Sequence, residues 1–162
     1  MGSEMCIRDS TARGTEITTR LSSRPVTDTV PGVPLVIGVL LAFVVSLLAW
    51  AAGFDRDRSF YPTVLTVVAS YYVLFAAMDG SMRVLAVESA TMAVFALVAF
   101  LGFRSNLWWV AAALAGHGLF DFVHGSVVHN PGMPTWWPAF CAGYDVAAGA
   151  TLAALLRSRR LR

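Results

Sequence analysis

The chain has 162 residues, 57% of them apolar and only 14% charged, with a formal net charge of +2 and a mean hydropathy of +0.65. That composition excludes an ordinary water-soluble globular domain and an intrinsically disordered chain. All twelve basic side chains are arginines spread over short connections, so a basic surface for nucleic acid has no support.

A hydrocarbon core about 30 Å thick needs about 20 apolar residues at 1.5 Å per residue, and five such runs follow in order. The first covers residues 33–54, with Ser46 as its one polar side chain, and stops at Asp55, Arg56, Asp57 and Arg58. The second covers residues 61–78, with Pro62 where the first turn of a helix tolerates it, and ends at Asp79, Gly80 and Ser81. The third covers 84–103 and is closed by Arg104, Ser105 and Asn106, the last a suitable N-cap for a fourth run over 107–127. Asn130, Pro131 and Gly132 read as a turn before the fifth run, 138–156. Runs of this length without alternation predict an all-α, polytopic membrane bundle of five transmembrane helices.

Residues 1–30 are polar, lack the apolar stretch of a signal peptide and are expected to be disordered. Their first ten, MGSEMCIRDS, resemble the translation of a sequencing adapter, so Cys6 is set aside. The expected organisation is that tail, a five-helix domain over 31–157 and a basic tail over 158–162. With five crossings, Arg56, Arg58, Arg104, Arg157, Arg159, Arg160 and Arg162 fall on one side. Arg83 and the N-terminal Arg8, Arg13, Arg20 and Arg24 fall on the other. The positive-inside rule then predicts a cell-membrane protein with its N-terminus outside and its C-terminus cytoplasmic. Trp108 with Trp109, and Trp136 with Trp137, open the fourth and fifth runs, where opposite interfaces should lie.

An ionisable side chain in hydrocarbon must face the bundle interior or find a partner. Glu88, His117, Asp121, His124 and Asp145 all lie inside the runs. His117, Asp121 and His124 stand at i, i+4 and i+7, within about 60° of arc on one helix face. By position, Glu88, Asp121 and Asp145 are expected at one depth in the outer half. Ala112 with Gly116, and Gly143 with Ala147, are the small pairs expected to let the last two helices approach. Two carboxylates so placed require a proton or a cation between them. Imidazoles and carboxylates together suit zinc, manganese or iron(II). This reading makes His117, Asp121 and His124 ligands of a divalent metal such as zinc, Glu88 or Asp145 a general base, and Cys141 a bystander. Asp121 could equally hydrogen-bond Tyr72 or Tyr144.

The stretch GHGLFDFVHGSVVHNPGMPTWWPAFCAGYD, from Gly116 to Asp145, and FYPTVLTVVASYYVLFAAM, from Phe60 to Met78, carry a resemblance. They resemble a bacterial family of small multi-pass membrane proteins that is a domain of unknown function, which implies membership and no activity. A weaker likeness is to the alkaline ceramidase and adiponectin receptor group of membrane hydrolases, in which transmembrane His and Asp residues hold zinc. It implies metal-assisted hydrolysis of a lipid-like substrate. The chain departs from that group in having fewer spans and Asp145 in place of a HxxxH in its last helix.

Three functions are consistent with these residues: a metal site acting on a lipid-like or other small molecule, a proton- or ion-coupled transporter, and a non-catalytic component whose polar network fixes helix register. Nucleotide-binding and serine-hydrolase motifs are missing from the sequence.

Overall fold

The computed structural model describes residues 32–158, so the N-terminal tail, Cys6 and residues 159–162 lie outside the described residues. Among the described residues there are five α-helices and no strand: α1 (Gly32–Ala52), α2 (Phe60–Asp79), α3 (Met82–Arg104), α4 (Trp108–Val127) and α5 (Trp137–Arg157), with a single 3-10 turn at Phe54–Arg56. The fold is an all-α bundle whose helices match the five apolar runs to within a few residues. Four of them, α1, α2, α3 and α5, are long and apolar enough to cross a membrane. The exception is α4, which has the length, 20 residues, but whose apolar run is broken by His117, Asp121 and His124.

The helix ends follow local chemistry. Ser81 caps α3 by accepting from the backbone N–H of Val84, whereas the N-cap of α4 is Leu107 rather than the expected Asn106, whose Oδ1 accepts from the backbone N–H of Trp108 at 3.0 Å one position before the cap. Gly80 ends α2 in the left-handed region at φ 79°, which only glycine adopts freely. Arg58 Nη2 donates to the carbonyls of Phe103 at 3.2 Å and Ser105 at 3.4 Å. It thereby satisfies the C-terminal end of α3 from the α1–α2 connection. Within the helices, Thr66, Thr91 and Thr151 turn their hydroxyls back to carbonyls four residues earlier, which satisfies these three donors without water.

The bundle is inverted relative to a soluble protein. Leu47 and Leu48 are 61% and 63% exposed, while Glu88, His124 and Asp145 are at most 1% exposed. Such a surface suits hydrocarbon and not water. The buried apolar groups gather at the end of the bundle marked by Arg58, where Tyr61, Leu65, Leu107, Val110, Leu114 and Leu152 pack together. The buried polar groups gather toward the other end, marked by Asn130.

α5 is the hub, packing along both α4 and α1, while α2 packs along α3. Close approach comes from particular glycines. A Cβ at Gly38 would overlap the carbonyl oxygen of Phe140, and one at Gly143 that of Leu35, so these two seat α1 on α5. A Cβ at Gly118 would lie 3.0 Å from Ala142 O, and one at Gly149 2.9 Å from Ala111 O, so these seat α4 on α5. The expected pairs are thus replaced. Gly116 faces open space, Ala112 is exposed, and Gly143 serves α1 rather than α4. Helical spacing shows that two small residues share a face but not which neighbour that face meets.

Gly143→Ala is expected to destabilise the protein by about 1–3 kcal/mol through overpacking, whereas Gly116→Ala should change stability by no more than about 0.5 kcal/mol. Thermal unfolding of both variants in mild detergent checks the contrast.

Candidate metal centre

The one-face spacing on α4 holds: His117, Asp121 and His124 are all buried, at 2%, 2% and 0% exposure. The opposite face of the same helix is apolar and exposed at Leu119, Phe122, Val123 and Val127. Gly118 lets α5 come close enough that Asp145 Cβ would sit 3.2 Å from a Cβ added at that position. This packing sets Asp145 against the neighbouring His117.

Two connected clusters result. In the deeper one, His117 Nδ1 hydrogen-bonds Asp145 Oδ2 at 2.7 Å and lies 3.8 Å from Asp121 Oδ2. The Tyr72 hydroxyl, from α2, donates to Asp121 Oδ1 at 2.6 Å. The ring of Phe95, from α3, meets the imidazole of His117 edge-on at 4.7 Å. In the second cluster, His124 Nε2 is 3.0 Å from Glu88 Oε1 and 3.3 Å from Oε2. Asn130 Nδ2, from the α4–α5 connection, donates to Glu88 Oε1 at 3.0 Å and to the backbone oxygen of Tyr72 at 3.1 Å. Tyr72 links the clusters, because its ring also stacks at 4.2 Å on that of His124.

The expectation of three carboxyls at one depth therefore gives way to two tiers. Their histidine partners are seven residues apart on α4, about 10 Å along the axis. Asn130 accounts for the division by holding Glu88 toward its own end of the bundle.

One ligand atom from each of His117, Asp121 and Asp145 lies within 4.8 Å of the other two. Two of the carboxylate oxygens here, Asp121 Oδ2 and Asp145 Oδ1, are buried without a hydrogen-bond partner. A zinc ion with ligands at about 2.0–2.2 Å keeps neighbouring ligand atoms about 3.3 Å apart, so side-chain adjustments of about 1 Å would close this trio on an ion. The chemistry of the donor set, one imidazole and two carboxylates, fits a borderline divalent metal. His124, expected as a ligand, turns its Nε2 to Glu88 and stands outside the trio, while Asp145, expected as a base, lies inside it. His124 Nδ1 is buried without a partner.

Of the two tyrosines considered for Asp121, Tyr72 makes the bond. Cys141 is buried one turn before Asp145, and His129 is exposed in the loop. Asn130 was hidden in the sequence by its neighbours. Asn-Pro-Gly reads as a turn, and the turn exists, with the N–H of Met133 donating to the Asn130 carbonyl at 3.1 Å. The side chain does the second job. Gly132 is required there because a Cβ would overlap the carbonyl oxygen of Phe75, which presses the loop onto α2.

Compared with known proteins, the chain matches no family profile, no curated protein and no solved structure. The site must be read from its own chemistry.

Tyr72→Phe removes the donor to a buried carboxyl and is expected to lower stability by about 1–3 kcal/mol. The half-exposed neighbour Tyr71 should tolerate the same change within about 0.5 kcal/mol. Unfolding midpoints in detergent distinguish the two.

Proposed function

We propose that this chain is a polytopic protein of the cell membrane that holds one divalent metal ion, of the zinc class, between His117, Asp121 and Asp145. The observation that carries the reading is the convergence of those three ligand atoms, from α4 and α5, within 4.8 Å in a fully buried setting. Charge balance supports it. A neutral imidazole with two carboxylates carries a charge of about −2, which hydrocarbon does not tolerate and a divalent cation offsets.

In this reading α4 crosses the membrane with the other four helices, because its polar side chains are turned inward and its outer face is apolar. The N-terminus is outside and the C-terminus cytoplasmic, which puts the site in the outer half of the bilayer.

Held by His117, Asp121 and Asp145, such a metal would supply the activation of water needed for hydrolysis of a lipid-like ester, amide or phosphate. The chain's own residues supply the surroundings. Tyr72 orients Asp121 by its 2.6 Å hydrogen bond, and Phe95 packs against the imidazole of His117. Glu88, paired with His124 in the adjacent cluster, is the buried carboxylate outside the trio that this reading leaves to accept a proton. The bonds of Tyr72 and Asn130 favour a second reading, in which the polar groups only hold the helices in register.

Elemental analysis of protein purified in mild detergent, through a tag without histidines, decides between them. Close to one transition-metal ion per chain is expected in the wild type and in His129→Ala, with nearly complete loss in His117→Ala and Asp145→Asn. His124→Ala should keep the ion. Retention should fall as the pH is lowered, because the ligands bind in their deprotonated forms. A wild type that remains metal-free after dialysis against zinc overturns the metal reading. If His117→Ala then still lowers the unfolding midpoint, the register role stands in its place.

A further inference from the structure

Consecutive helices usually pack side by side, yet α1 and α2 do not. α1 leans on α5 through Gly38 and Gly143, and α2 leans on α3. Between α1 and α2 lies a groove of about 510 Å³, floored by Cys141 and Tyr144 of α5 and walled by Leu41 and Val45 on one side and Val64 and Val67 on the other. Its volume is within the roughly 300–1,000 Å³ of small-ligand sites.

The shape of the groove restricts what can fill it. On α2 it runs from Phe60 to Tyr71, about 16 Å at 1.5 Å per residue. That is close to half of a hydrocarbon core about 30 Å thick, the depth of one leaflet. At the far end the rings of Tyr71 and Trp137 meet at 5.0 Å and an interplanar angle of 61°, which closes the groove. At the near end it opens beside Asp57 and Ser59, in the connection that also carries Arg56 and Arg58. The carboxylate of Asp57 accepts from the backbone N–H of Ser59 at 2.9 Å, which holds it below the usual carboxylate range. Among the described residues, the Asp57 carboxylate is thus the one charged group lining the mouth, which an ammonium-bearing headgroup complements, while the walls are mostly apolar. Left unfilled in a bilayer, such a groove would forfeit the dispersion contacts of its lining.

We infer that this groove seats one acyl chain of a bilayer phospholipid from the leaflet at the α1–α2 connection, with the headgroup at Asp57 and the chain end against Tyr71 and Trp137. The inference is independent of the metal reading, since none of His117, Asp121 and Asp145 lines the groove.

The test is photolabelling of the full chain in phospholipid vesicles, using phospholipids that carry a diazirine either near the carboxyl end or near the methyl end of one chain. Adducts located by mass spectrometry are expected around residues 54–63 for the first probe and around Tyr71 and Phe140 for the second. Val67→Trp, which fills the groove from its exposed wall, should cut the groove adducts several-fold and leave labelling of the outward Leu47 and Leu48 unchanged. Circular dichroism checks that this variant keeps its helices, and the two-probe pattern in the wild type stands without it. Both probes labelling the groove no more than the Leu47 face would overturn the inference. So would a diazirine free fatty acid labelling the groove where the phospholipids do not.

Discussion

The hydrogen bond between His117 and Asp145 is the contact on which the polar half of the molecule depends. Neither residue could sit alone inside a hydrocarbon layer, where an unpaired ionisable side chain costs roughly 2.5 kcal/mol or more. Each makes the other tolerable, and together they fix the rotation and depth of α4 against α5. Gly118, next to His117, allows the helices the approach that a 2.7 Å contact needs. Asp121 then has to be satisfied by a third helix, which is why Tyr72 points its hydroxyl into the same space.

From that constraint follows the division of the bundle into two zones. Toward Arg58 the helices meet through Leu65, Leu114 and Leu152, an ordinary apolar core. Toward Asn130 they meet through imidazoles, carboxyls and an amide. Apolar packing gives helices in a bilayer little preference over lipid, so small residues and polar pairs must supply the specificity of assembly. Here Gly38, Gly143, Gly118 and Gly149 set the distances, and the two His–carboxylate pairs set the register. The groove between α1 and α2 is a consequence of the same arrangement, because α5 holds α1 away from its neighbour in sequence.

The helices themselves were legible in the sequence, since length and hydropathy are properties of a segment read alone. So was the polar face of α4, because 100° per residue is enough to align His117, Asp121 and His124. Partner choice was not legible. The sequence could turn Glu88, Asp121 and Asp145 into the bundle, but helix neighbours and a returning loop decided that Glu88 pairs with His124 and Asp145 with His117. Asn130 escaped notice because its backbone role as a turn residue explained it fully. The glycine pairs misled for a related reason: Gly116 shares a helix with Gly118, and only the packed structure shows which of them faces α5. In α4, the residues that build the site are also those that interrupt its apolar run.

Whether acid and imidazole groups from separate helices meet inside the bundle is read from a distance measured in a bilayer. Solid-state NMR dipolar recoupling between ¹⁵N-labelled histidine and side-chain ¹³C-carboxyl aspartate, in protein reconstituted into lipid, reads it without reference to any activity. A strong coupling from an imidazole nitrogen to a carboxyl carbon is expected, one that disappears in Asp145→Asn. The absence of such a coupling in the wild type, or its survival unchanged in that variant, would contradict the contact between His117 and Asp145.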